Sequence, residues 1–215
     1  MRKFAKTAAA LAFAAVMTAA LTGCGGNNNS TAQSGAGNNS AGQTPNSVKS
    51  ENDNSTNGDL STELDSQIIK SKVTSADAAA KSLRESVMVW VYDNASYGGE
   101  YPSEGEVTIV CDKGKVTTTG VITDADKVEK NPKTLSQMLT EEYSTSTFRV
   151  KVYMSAGGQV SGVVYVDGET SADETELPDK DAFKAGSWKW DGKKAGVTPS
   201  GKIVGTSPQV QLAVP

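Results

Sequence analysis

TSADAAAKSLRESVMVWVYDNASYG, residues 74–98, is the stretch on which the fold turns. Ala79, Leu83, Val87, Trp90 and Val91 recur at steps of three and four, the period that lines one face of an α-helix. Thr74 or Ser75 stands where an N-cap belongs, and Asp77 falls in the first turn, where the helix dipole favours a carboxylate. The spacing predicts a helix with one apolar face, ending near Asn94. Trp90 and Tyr92 fit core packing at this spacing better than a binding stripe. Such a helix needs a layer to lie on.

The sequence after Pro102 supplies that layer, because the apolar period changes from 3.6 to two. EVTIVCD (106–112) and KVTTTGVIT (115–123) flank Lys113-Gly114, a tight hairpin turn. TFRVKVYM (147–154) and QVSGVVYV (159–166) form a second hairpin, with Gly157-Gly158 able to take the positive φ its turn needs. Between the hairpins, NPKTLSQMLTEEY (131–143) reads as a short helix with Leu135, Met138 and Leu139 inward. The tail offers GSWKWDG (186–192), GKIVG (201–205) and PQVQLAV (208–214) as short strands. Upstream, LSTELDSQIIKSKV (60–73) places Leu64, Ile68 and Ile69 on one face of a separate helical stretch, with Ser61 or Thr62 as its cap. The expected class is α+β, a leading amphipathic helix packed on an antiparallel sheet.

The front of the chain has a different character. Arg2, Lys3 and Lys6 precede an uncharged apolar run, residues 7–21, the layout of an export signal. Fifteen helical residues cover roughly 23 Å, short of the ~30 Å hydrocarbon core, so a secretion signal fits better than a permanent span. Residues 25–58 are mostly Asn, Ser, Gly, Thr, Ala and Gln, too poor in large apolar side chains to offset the entropy of ordering. They read as a tether that holds the domain on the order of 30–35 Å from its attachment point. The chain divides into a leader (1–23), a tether (24–59) and one α+β domain (60–215).

Leu21-Thr22-Gly23-Cys24, directly after the apolar run, resembles the lipobox of bacterial lipoproteins. The resemblance implies that Cys24 is lipidated and becomes the mature N-terminus, anchoring the protein to the extracytoplasmic face of the cell membrane. Two or three acyl chains give a firm anchor where one is marginal.

Polar-Asn-Gly-Tyr-Pro spacing at the end of the leading helix carries a second resemblance. Asn94, Gly98, Gly99, Tyr101 and Pro102, followed by antiparallel hairpins to about residue 166, look like the helix-to-sheet passage of type IV pilins and pseudopilins. Those proteins carry an apolar helix directly after a prepilin peptidase site, where this chain has a lipobox and a tether. Together the two resemblances imply a pilin-like head on a lipid anchor.

Composition narrows the function. The chain is net −4, and removing the leader's three positive charges leaves −7, which argues against nucleic acid or anionic lipid head groups as partners. There is no histidine, so Ser-His-Asp and Cys-His catalysis and the commonest zinc ligand are absent together. Paired carboxylates or a Ser-Lys arrangement remain open to an enzyme, and neither appears with recognisable spacing. With Cys24 lipidated, Cys111 cannot form an internal disulfide, and its place in an alternating strand reads as a buried small hydrophobe.

Two stretches merit weighing as sites. VDGETSADETELPDKDAF (166–183) crowds carboxylates, among them Asp167, Asp173, Asp179 and Asp181, and the pilin resemblance implies a calcium site there, as some pseudopilins have near their C-termini. EF-hand spacing is not met, and a solvated acidic loop ahead of a short helix capped near Asp179 or Asp181 is the plainer reading. Trp188 and Trp190 share one face if the segment is a strand, which suits either a sugar-stacking pair or two core rings. GVTPSGKIVG (196–205) lacks phosphate-loop spacing. The expectation is a non-catalytic binding or scaffolding lipoprotein without a cofactor, its partner an envelope protein or polysaccharide. An exported carbohydrate- or wall-active enzyme or accessory, or the small-ligand receptor of a transporter, is the alternative.

Overall fold

The computed structural model describes residues 56–215 and, along its first helix, side chains from Thr62 onward. The leader, the lipobox with Cys24 and most of the tether lie outside the described residues, while Ser61 and Thr62, expected as a cap, fall inside the first helix and not at its start. All the described residues belong to one compact unit.

A single helix, α1 (Thr56–Ser96), replaces the two helical stretches expected on either side of Thr74. Thr74 caps nothing: its hydroxyl donates to the Lys70 carbonyl one turn back at 2.9 Å, the bond a threonine makes inside a helix. With neither Gly nor Pro between residues 59 and 96, nothing interrupts the hydrogen-bond ladder. Forty-one residues make a rod about 60 Å long. Only its second half is covered. Ala76, Ala80, Leu83, Val87, Trp90 and Val91 are buried, whereas residues 62–72 are exposed apart from half-buried Ile69.

The sheet that covers α1 has five antiparallel strands. They are β1 (Gly105–Asp112), β2 (Lys115–Gly120), β3 (Phe148–Ser155), β4 (Gln159–Asp167) and β6 (Val204–Ser207), in the order β2-β1-β3-β4-β6. Two short strands, β5 (Ser187–Trp188) and β7 (Gln211–Leu212), pair in parallel apart from this sheet. The first hairpin turns at Lys113-Gly114, with φ of 49° and 83°. A Cβ on Gly114 would stand 2.0 Å from the Ser144 carbonyl oxygen, so only glycine fits there. The second hairpin turns through Gly157 and Gly158, both at positive φ.

Alternation sorts the strand side chains onto two faces. Val107, Ile109, Cys111, Phe148, Val150, Val152, Val163 and Tyr165 meet the apolar face of α1 in the main core. Helix α2 (Leu135–Glu142) closes this core with Leu135 and Leu139, and Met138 packs against it from a partly exposed position. Thr134 caps α2, and Gln137 returns the bond to complete a capping box. On the opposite face, Tyr153, Val164, Val166 and Val204 are covered by Leu177 and Trp190 from the C-terminal segment. Helix α3 (Lys180–Ala185) lies there too, capped by Asp179.

Asp77 does not sit in a first turn. It lies within α1, and its carboxylate accepts the Thr206 N–H at 2.7 Å and the Gln209 amide at 2.9 Å, fastening the helix to β6. Burial pushes its carboxyl above the ordinary 3.8, and these two hydrogen bonds recover only part of the shift. A raised folded-state value favours the fold at low pH, and that contribution is lost as pH rises through the raised value. Asp77→Asn keeps a neutral acceptor for Thr206, so at pH 7 it should be at least as stable as the parent, with the difference vanishing below pH 3.8. Asp77→Ala strands the Thr206 N–H and should cost about 1–3 kcal/mol. Urea unfolding of both variants at pH 7 and pH 3 checks the pair.

Candidate binding groove

Where β1 begins, β3 ends and α3 crosses β4, the surface folds into a groove of about 700 Å³. Its floor is aromatic. Phe183 of α3 lies over Gly162 of β4, where a Cβ would fall 2.5 Å from the ring, and the Tyr153 ring centre is 5.7 Å from that of Phe183. Tyr153 donates its hydroxyl to the Pro178 carbonyl at 2.9 Å. Burial, reinforced by Glu106, Asp179 and Glu174, pushes its phenol well above the usual tyrosine range, so it stays a neutral donor. Met154, Ser155 and Ser161 complete the walls.

The charged rim is mostly committed to the structure. Lys151 bridges Glu106 at 3.2 Å and pairs with Glu174, which also takes Arg149. Burial works to raise the Glu174 carboxyl, but Lys151 and Arg149 outweigh it and hold it below the usual range. The Asp179 carboxylate accepts the Asp181 and Ala182 N–H groups at the start of α3, and Asp181 pairs with Lys184 at 3.3 Å. Glu104, unlike the other three carboxylates lining the groove, has no polar partner among the described residues. With the others held by cations or backbone amides, the arrangement suits recognition: rings to stack on, and a rim of mixed charge to orient a polar ligand.

The acidic loop is not drawn together. Asp167 accepts the Tyr165 hydroxyl at 3.0 Å, and Asp173 accepts the Thr175 hydroxyl and N–H, which hold its carboxyl below the usual range. Glu169 pairs with Lys202 at 3.4 Å, and Asp179 and Asp181 serve α3 as above. Among the described residues no three His, Cys, Asp or Glu side chains stand together so as to hold a metal ion.

The tryptophan pair is not an exposed stacking platform. The strand stops at Trp188, so the parity expected of the pair fails, and Trp190 turns into the second core cluster at 3 % exposure. Trp188 packs against the same cluster from a partly buried position beside Leu212. Cys111 faces the main core, fully buried, its thiol 3.2 Å from the Ser146 carbonyl oxygen. Burial pushes that thiol up, which makes it unreactive in the folded state.

Sequence reasoning missed Gly162, Tyr153 and Phe183. The available signal was a glycine inside the otherwise β-branched and aromatic run of β4, which marks close approach by another group. No helix among the described residues is long and apolar enough to cross a membrane. No protein-family model, no curated protein and no solved structure matches this chain.

Proposed function

We propose that the chain is a lipid-anchored protein of the extracytoplasmic membrane face whose α+β domain binds or scaffolds an envelope component without catalysing a reaction. The observation that carries this reading is Leu21-Thr22-Gly23-Cys24, set between an uncharged apolar run and a polar tether. A domain held in this way is offered to the envelope, and the Tyr153–Phe183 groove is the concave, aromatic surface suited to binding there. We read the domain as pilin-like, a reading supported by the order of a long helix, a loop through residues 94–102 and antiparallel hairpins. The carbohydrate-active alternative loses its stacking pair with the burial of Trp190.

The anchor is tested by growing cells on labelled palmitate and separating detergent from aqueous phases. The parent should carry label and enter the detergent phase, and Cys24→Ala should carry none. Label retained by Cys24→Ala would overturn the lipobox reading.

A further inference from the structure

The C-terminal end of α1 and the loop after it hold three tyrosines at the surface. Tyr92, Tyr97 and Tyr101 are 45 %, 44 % and 50 % exposed, and Tyr92 meets Tyr101 edge to face with ring centres 6.1 Å apart. Beside Tyr101 is a cavity of about 280 Å³ whose lining includes Trp90, Asn94, Glu100, Tyr101, Pro102 and Asp126. It shares no lining residue with the Tyr153–Phe183 groove. Aromatic and proline walls with a carboxylate at the mouth are the features that receive an organic cation.

Charge points the same way. The end of α1 and the loop after it, residues 93–104, carry Asp93, Glu100 and Glu104 and neither lysine nor arginine. The last turn of α1 has no basic residue of its own, so the negative end of a 41-residue helix faces this surface, with Lys127 on the loop that Asn94 fastens there. Asp126 is occupied by Thr123, but Glu100 is exposed and has no hydrogen-bond or ion-pair partner among the described residues. A planar guanidinium can stack on the Tyr101 ring while donating to Glu100, with its methylene stem along Pro102, a combination that a compact ammonium meets less well.

We propose that this end of the domain docks an arginine-bearing segment of a partner protein, with one guanidinium seated between Tyr101 and Glu100. The reading goes beyond the groove and the lipid anchor and depends on neither.

The test is fluorescence anisotropy of a labelled Gly-Arg-Gly-Arg-Gly peptide titrated with the full chain in detergent micelles. Saturable binding is expected, weakening as salt rises. Glu100→Gln and Tyr101→Ala should each weaken it about fivefold or more, and Tyr101→Phe, which keeps the ring, should bind as the parent does. Glu63→Gln, at the exposed start of α1, should leave binding unchanged. The proposal is overturned if no saturable binding occurs, if Glu63→Gln weakens binding as much as Glu100→Gln, or if the matching lysine peptide binds equally well.

Discussion

Gly205→Ala should lower the stability of the domain by about 3 kcal/mol, the upper end of what one added methyl does in a packed interior. Gly205 lies on β6 opposite Tyr165, where the sheet meets α1. A Cβ there would stand 2.0 Å from the carbonyl carbon of Ala76, 2.1 Å from its oxygen and 2.4 Å from the Asp77 nitrogen. These are backbone atoms of a continuous helix, so no side chain can swing aside to make room. Either β6 leaves β4 or the helix lifts from the sheet, and both routes strain the Asp77 bonds to Thr206 and Gln209. At this size a loss of that magnitude lowers Tm by about 6–12 °C. A thermal melt within about 2 °C of the parent would mean that β6 and the α1 backbone do not touch.

Asn94→Leu should cost a comparable amount, about 3 kcal/mol, although it replaces a polar residue with an apolar one of similar size. Asn94 is buried, and its amide donates to the Asp126 carbonyl at 2.8 Å while its oxygen accepts the Val128 N–H at 3.2 Å and the Asn131 amide at 3.1 Å. Leucine leaves the Asp126 carbonyl, the Val128 N–H and the Asn131 amide without the partner that joins them. The loop over residues 123–131 depends on this side chain, so the Val128 amide should exchange quickly in the variant and slowly in the parent. Unchanged protection of Val128 together with unchanged stability would show that other contacts hold the loop.

The elements whose cause is local were legible in the sequence. The apolar face of α1 follows from spacing, the turn at Lys113-Gly114 from its glycine, and the cap of α3 from Asp179. The elements set by contacts across the chain were not. Thr74 is the same residue whether it caps a helix or sits inside one, and its sequence neighbourhood does not show the packing of Ala76 on Gly205 of β6 that follows it. Asn94 stood out by its place beside Gly98, Gly99, Tyr101 and Pro102, but its partners lie 32 to 37 residues away. Gly162 and Gly205 owe their identity to Phe183 and Ala76, and neither pairing has a signature within a window of ten residues. Trp190 stayed open between stacking and core for a related reason, because its direction depends on a strand that ends two residues earlier.

The uninterrupted rod of α1 also has a mechanical meaning. A pull applied to the start of α1 travels along a stiff helix before it meets the sheet. Along that path α1 is fastened to β6 by Asp77 and Gly205 before it reaches the Leu83 to Val91 seam. Load therefore falls first on an edge strand of four residues. The domain has a weak link at a defined place, and under tension β6 should part from α1 while the β1-β3-β4 centre stays whole.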